Sequence, residues 1–240
     1  MAKPPWHTRW TVLPHEPIRK LEPDLWEVEG ALEKMPIARR MVLFRLHDGR
    51  VVVHNALNLE EPLMSELEAW GKPSFLIVPN SFHRLDAWCW TQRYPGIAVL
   101  AGPTGQKAIA KAVSVVGGVE LLPLGGGLVG EDLAGTKVGE MAFVQTHADG
   151  RKTLVLNDVF WNEPHHPGLS GLLFRALGST GGPRVTRVMK LAGIADRRAT
   201  KAHLLRLAAI PGLARIIMAH GTIVESDAGA ILKEAAERFL

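Results

Sequence analysis

Leu154-Val155-Leu156-Asn157-Asp158-Val159-Phe160 opens as a continuous apolar run and breaks off into an amide and an acid. A run this short, apolar on successive residues rather than alternate ones, reads as a strand buried on both faces. Residues 152–156 are therefore expected to form a strand. Residues 138–146 form another, and the two flank the turn His147-Ala148-Asp149-Gly150. The same abrupt ending recurs elsewhere. Arg215-Ile216-Ile217-Met218-Ala219 stops at His220-Gly221, and Phe75-Leu76-Ile77-Val78 stops at Pro79-Asn80.

Working outward, residues 40–46 and 50–57 are β-branched runs joined by His47-Asp48-Gly49, a strong hairpin signal. Residues 24–30 alternate polar and apolar before them. After residue 60 the period changes. Glu60-Glu61-Pro62 starts a helix that ends at Gly71. A further helix is expected at about 84–93, and Thr104 is expected to cap one running to about 116. Residues 97–100 and 119–122 read as strands. In the glycine- and proline-rich excursion 161–182 a helix is expected near 172–177. Another, at 197–209, is stopped by Pro211-Gly212. Ser226 is expected to cap a last helix with an apolar stripe of Ile231, Leu232, Ala235, Ala236, Phe239 and Leu240. Strands that alternate with helices need helices over both faces of the β layers. The expectation is one α/β domain over residues 1–240, with residues 1–23 an irregular, proline-bearing arm.

With 240 residues, 47% hydrophobic and 22% charged, the chain can bury one substantial core. Its one cysteine, Cys89, excludes an intramolecular disulfide and a thiolate zinc cluster. No apolar run follows the first ten residues as in a secretory signal, and the weakly polar stretch 113–130 is broken by Glu120, Pro123 and six glycines. A cytoplasmic protein without a membrane span, and with no membrane among its partners, is expected. The net charge of +4 permits an anionic partner but does not require one.

Four polar spots follow apolar strands directly: His54-Asn55, 80–83, Asn157-Asp158 and His220-Gly221. Ligands gather at strand ends in sheets with helical crossovers, and histidine with carboxylate makes a plausible metal set. The order of these motifs resembles the metallo-β-lactamase superfamily, whose fold is a four-layer α/β/β/α sandwich. Residues 154–160 resemble its strand ending in a metal-bridging aspartate, residues 215–221 its strand ending in a liganding His-Gly, and Val53-His54-Asn55 the segment where it has Asp-x-Gly. The resemblance covers roughly residues 24–224. It is closest to a branch with Pro-Asn-x-x-His after the first buried strand.

The superfamily's His-x-His-x-Asp-His is degenerate here. The stretch reads Pro79-Asn80-Ser81-Phe82-His83-Arg84-Leu85-Asp86, so Asn80 and Phe82 fall on the first two histidines and Arg84 on the aspartate. Phenylalanine ligates nothing and arginine repels a cation. His83 is out of register unless the chain turns locally, and His147 reads as a turn residue. The resemblance thus implies at most His83, Asp158 and His220 as ligands of one zinc or iron ion, with Asp158 and Asn80 at the chemistry and Asn80 orienting a ligand or water. The leading expectation is a metallo-hydrolase-like protein acting on a small, conceivably anionic substrate. The competing one is a non-catalytic protein of that fold binding a small ligand or a protein.

Other signals are weaker. Gly125-Gly126-Gly127-Leu128-Val129-Gly130 has dinucleotide-loop spacing but no helix start after it. Gly102-Pro103-Thr104-Gly105-Gln106-Lys107-Ala108 only hints at a phosphate loop. His165-His166 reads as a solvated, proline-flanked loop. Residues 184–206 carry Arg184, Arg187, Lys190, Arg197, Arg198, Lys201 and Arg206 against one acid, Asp196. Such a segment could meet the phosphates of nucleic acid, of a nucleotide or of a membrane surface, or simply be solvated. No aromatic residue interleaves, so nucleic acid is not the expected partner.

Overall fold

The computed structural model describes residues 4–33, 35–123 and 127–239. Its first sheet contains, in spatial order, β1 (Arg19–Glu22), β2 (Leu25–Leu32), β3 (Met35–Arg45), β4 (Arg50–His54), β5 (Lys72–Ile77) and β6 (Ala98–Leu100). Pairing is antiparallel up to β4 and parallel from there on. The switch falls where helices α1 (Glu61–Trp70) and α2 (Ala87–Arg93) enter as crossovers, which parallel neighbours require. After α3 (Pro103–Ile109) come β7 (Leu128–Asp132), β8 (Met141–Thr146) and β9 (Lys152–Val155). A two-stranded ribbon of β10 (Trp161–Glu163) and β11 (Gly182–Arg184) encloses α4 (Gly168–Ala176), and α5 (Arg197–Ala208), β12 (Leu213–Ile217) and α6 (Ala228–Glu237) complete the chain. The second sheet has the order β12-β9-β8-β7, with β12 parallel to β9.

The strand period of two sorts the apolar residues into layers. Val42, Phe44, Val52, Phe75, Ile77 and Leu100 face the other sheet and meet Leu128, Met141, Phe143, Val155 and Ile217. Their neighbours Leu43, Val53, Leu76 and Val99 point the other way, onto Met64 and Leu67 of α1, Trp90 of α2 and Ile109 of α3. On the second sheet Leu154 and Ile216 turn outward onto Leu204 and Leu207 of α5 and Leu232 and Ala236 of α6. This is the expected α/β/β/α layering. Continuous apolar runs were needed because each central strand is covered twice.

Several elements depart from the sequence reading. Residues 119–122 hold a 3-10 turn, Val119–Leu121, rather than a strand, because the Glu120 carboxylate accepts the Gly118 N–H at 2.8 Å and closes the chain on itself. The second helix begins at Ala87, since the residues before it wind through a tight turn. The third stops at Ile109, and the excursion's helix lies earlier than expected, at Gly168–Ala176. The last helix is preceded by Asp227 in the left-handed region (φ 50°), and its start carries no side-chain cap from Ser226 or Asp227. The N-terminal arm is fastened rather than loose. Residues 19–22 pair with β2, Trp6 and Trp10 pack on the outer core, and Trp10 Nε1 donates to the Leu59 carbonyl at 2.9 Å. Gly125 and Gly126 lie outside the described residues. Gly127 leads into β7, without the helix start a dinucleotide loop needs.

Candidate metal centre

Each strand that breaks off into a polar pair ends at the same edge of the sandwich. β9 delivers Asp158 and its parallel neighbour β12 delivers His220, three residues past each strand's last position. His83 arrives from the other sheet, after β5. The loop there does not stay extended. Asn80 Oδ1 accepts the Phe82 N–H at 2.8 Å, and the Asn80 carbonyl accepts the His83 N–H at 3.3 Å. This turn points His83 inward and leaves Phe82 exposed, so the out-of-register histidine becomes the one that faces the cavity. Arg84 turns away, donating to the Ala108 carbonyl at 2.6 Å and lying over the Trp6 ring.

His83, Asp158 and His220 each offer one atom, all within 4.8 Å of one another; this is the one such group found among the described residues. The hydrogen bonds behind the ligand atoms fix which atoms those are. His220 Nδ1 lies 2.6 Å from the Ala38 carbonyl, which only accepts, so that nitrogen carries the proton. His83 Nδ1 lies 3.0 Å from Asn55 Oδ1, while the Asn55 amide donates to the Arg40 carbonyl at 2.8 Å. Asn55 adopts φ 57° to make both contacts. Both imidazoles therefore direct an Nε2 lone pair at Asp158 Oδ1, at 3.0 Å from His83 and 3.3 Å from His220. Burial, partly offset by the Asp158 carboxylate, holds His83 below its ordinary pKa. Burial also opposes ionisation of Asp158; where an imidazole is protonated and donates to it, His83 and His220 outweigh burial and hold the carboxyl well below its usual range.

A second ring of groups orients the first, and sequence reading missed most of it. Asn80 gives one amide hydrogen to Asp158 Oδ2 at 2.9 Å and the other to Glu140 Oε2 at 2.8 Å. With both hydrogens committed to the protein, Asn80 acts on the site through Asp158, as a positioning residue rather than a direct contact to ligand or water. Glu140 is fully enclosed, and its Oε1 accepts the N–H groups of Asn157 and Val159 at 2.9 and 3.2 Å. Burial first, then the Asp158 charge, pushes the Glu140 carboxyl up to about 8. Its only mark in the sequence is an acid wedged between Gly139 and the apolar β8. Buried Arg40 spans the sheets, donating to Glu27 and Glu29 on β2 and to the carbonyls of Met218 and Gly221 at 2.8 and 2.9 Å. It clamps the His220 loop. Gly221 is required there: its φ is 91°, and a Cβ would sit 2.1 Å from the Asn162 carbonyl. Glu27 and Glu29, alternating on β2 near an arginine inside an apolar strand, were the available signal.

Two other histidines fall away from the centre. His147 is buried at the opposite end of the β8–β9 hairpin, where it bonds Thr153 Oγ1 at 2.8 Å and approaches Asp24 at 3.3 Å; it ties the sheets together rather than serving only a turn. His54 is sealed beneath the site with neither ring nitrogen partnered, edge-on to Phe143. Burial, followed by the proximity of His83, lowers its pKa to about 3. Between that value and 6.5 the unfolded chain binds a proton that the folded chain refuses, so stability falls as pH drops below 6.5, by up to about 1.4 kcal/mol per unit. His54→Leu, close in volume, is expected to stay within about 1.5 kcal/mol of the parent at pH 7.5. Urea denaturation from pH 7 to 4 should show a flatter acid limb in the variant; equal slopes would contradict this reading.

His83, Asp158 and His220 close one end of a cavity of about 280 Å³. Leu32, Met35, Ile37, Leu85, Val188 and Met189 supply much of its apolar wall, and Trp161 packs against His220 with ring centroids 4.2 Å apart. Arg39 also borders it, already engaged by Asp86.

A scan against protein-family models finds none that matches, and no curated protein matches the sequence. Solved structures do. A metallo-β-lactamase from Erythrobacter litoralis with β-mercaptoethanol in its active site superposes with TM-score 0.60 at 14% identity, covering 92% of this chain and 96% of that one. DIM-1 metallo-β-lactamase exposed to ceftazidime gives 0.63 at 13%, covering 95% and 99%.

The chain has the metallo-β-lactamase fold.

A Pontibacter korlensis metallo-β-lactamase matches similarly, with TM-score 0.60 at 12% identity and coverage of 92% and 98%. At such identities the likeness speaks for the fold alone. Within this metallo-β-lactamase fold, what the site can do must come from its own residues.

Proposed function

We propose that this protein is a mononuclear metal-dependent hydrolase whose ion is held by His83, Asp158 and His220. One observation carries the reading: two imidazole lone pairs and a carboxylate oxygen converge on one point, with both Nδ1 protons committed elsewhere. Three acceptors facing each other in a buried site repel unless a proton or a metal ion lies between them. Two nitrogens and one oxygen, each braced from behind, suit zinc or ferrous iron with an open position. A divalent ion held there supplies a Lewis acid and lowers the pKa of water.

The chain's own residues do the rest. Asn80 and Glu140 fix the rotamer of Asp158, while Ala38 and Asn55 fix the two ring tautomers. The wall of Leu32, Ile37, Leu85 and Met189 favours a substrate with an apolar body over a multiply charged one, since Arg39, the one arginine or lysine among its described lining residues, is neutralised by Asp86. Among the described residues a second ion finds no comparable group of ligands: Phe82 is exposed and Arg84 is directed at Ala108.

Protein purified without chelator or affinity-tag histidines is expected to carry about one metal per chain. Zinc at roughly a hundred times its Kd should stabilise the protein by about 2.7 kcal/mol, or raise its Tm by about 5–10 °C. Asp158→Ala and His220→Ala should abolish the shift. Two ions per chain retained after dialysis would overturn the mononuclear reading. A melting curve unmoved by zinc, iron and manganese alike would leave a non-catalytic binding protein as the better account.

A further inference from the structure

Helix α4 presents the wrong face to solvent. Leu169, Leu172 and Leu173 recur at the spacing that normally lines a core, yet they are 87%, 63% and 58% exposed. The inward side is made by Gly171 instead, whose Cβ would meet the His166 carbonyl at 1.8 Å, so the helix packs through its backbone and turns its leucines out. Leu177 beyond its end, and Val188 and Leu191 from the following segment, are exposed as well, Leu191 to 73%.

Cations lie in the same stretch of chain as these side chains. Residues 164–195 include Arg175, Arg184, Arg187 and Lys190 and not one Asp or Glu. With Arg238 these four line a cavity of about 300 Å³. Arg187 donates to the Ala176 carbonyl at 3.0 Å, and Arg184 to the carbonyls of Gly181 and Gly182, contacts that orient a guanidinium without neutralising it. Among the described residues, only Arg238 of the five pairs with a carboxylate, Glu234. Burial, then Arg197 and Arg187, lowers the Lys190 pKa, as in a crowd of like charges.

We propose that this surface docks the protein onto an anionic lipid bilayer, the α4 leucines entering the headgroup–acyl boundary and the basic side chains meeting lipid phosphates. A bilayer offers hydrocarbon and negative charge side by side, which is what the surface lacks. Nucleic acid offers nothing to the leucines. A second copy related by a twofold axis would set cation against cation. The expectation of no membrane partner was drawn from the lack of a spanning segment; among the described residues no helix is long and apolar enough to cross a bilayer, and docking needs none. The proposal is independent of the metal reading. It does place the bilayer beside the candidate site, since Val188 and Met189 wall the apolar cavity while Arg187 and Lys190 wall the basic one.

Co-sedimentation with vesicles tests it. Full-length protein is expected to bind phosphatidylcholine vesicles containing 30% phosphatidylglycerol at least about tenfold more tightly than pure phosphatidylcholine, and to release as salt rises. Leu172→Glu with Leu173→Glu, and separately Arg175→Glu with Arg187→Glu, should each lower binding about tenfold or more. Both pairs are exposed, so an unchanged melting temperature shows that the fold persists. No binding to the anionic vesicles, or equal binding by parent and both variants, overturns the proposal. So does a dimer in sedimentation equilibrium that the leucine variant dissolves while vesicles bind nothing.

Discussion

Asp86→Ala is expected to lower the stability of this protein by about 3–5 kcal/mol, more than any single ligand replacement at the candidate centre. Asp86 is buried and accepts four donors: His7 Nδ1 at 2.6 Å, Arg39 Nη2, and both the backbone N–H and the amide of Asn58 at 3.1 and 3.0 Å. Arg39 is itself buried, and its other contact is the neutral Ala56 carbonyl. Removing the carboxylate leaves a guanidinium charge in the interior with no counter-ion, which is what makes the loss large. Asp86→Asn keeps the shape and should cost less. Urea denaturation measures both, and a loss below about 1 kcal/mol for the alanine variant would mean that Arg39 finds water. A second readout comes from His7, whose pKa is raised chiefly by its hydrogen bond to Asp86. With the folded value above 6.5, its contribution is complete below pH 6.5 and fades as pH rises through the folded pKa. That decline should shrink in the variant, where only the smaller effect of Glu33 is left to raise the His7 pKa.

Glu140→Ala is the second large effect. Three buried donors, Asn80 Nδ2 and the N–H groups of Asn157 and Val159, lose their acceptor together. At about 1–3 kcal/mol for each stranded group, a total loss of roughly 3 kcal/mol or more is expected. The variant also frees the turn that carries Asp158, so metal affinity should fall by about 10–100-fold, as for other groups that brace a ligand from behind. Calorimetric titration with zinc, on protein shown to be folded at the titration temperature, checks the second part. A variant that loses stability but binds zinc like the parent would limit Glu140 to a scaffold role. Glu140→Gln discriminates further: it keeps one acceptor oxygen but turns an amide donor toward one of its present partners, so it should recover part of the stability at most.

Local chemistry settled the layers and the ends of the strands. Continuous runs such as Phe75-Leu76-Ile77-Val78 and Leu154-Val155-Leu156 encode burial on both faces, and Asp48-Gly49 encodes a hairpin, because periodicity and turn conformation are properties of a few adjacent residues. The same reading placed Asp158 and His220 at strand ends; that the two strands are parallel neighbours came from the fold. It failed first on two local turns of the backbone, where one side chain or one residue's conformation overrides the pattern of its neighbours. Val119–Leu121 is a turn because one carboxylate reaches back to Gly118, and Asp227 takes the left-handed conformation where Ser226 had looked like the cap. Only the tertiary structure decided that His83, not Phe82, faces inward. It also decided that Asn80 is spent on Glu140 and Asp158, that Arg40 crosses between sheets to hold the His220 loop, and that α4 turns its leucines outward. A helical spacing of leucines states that one face is apolar. What lies against that face is set by the rest of the fold, and the sequence by itself carries no record of it.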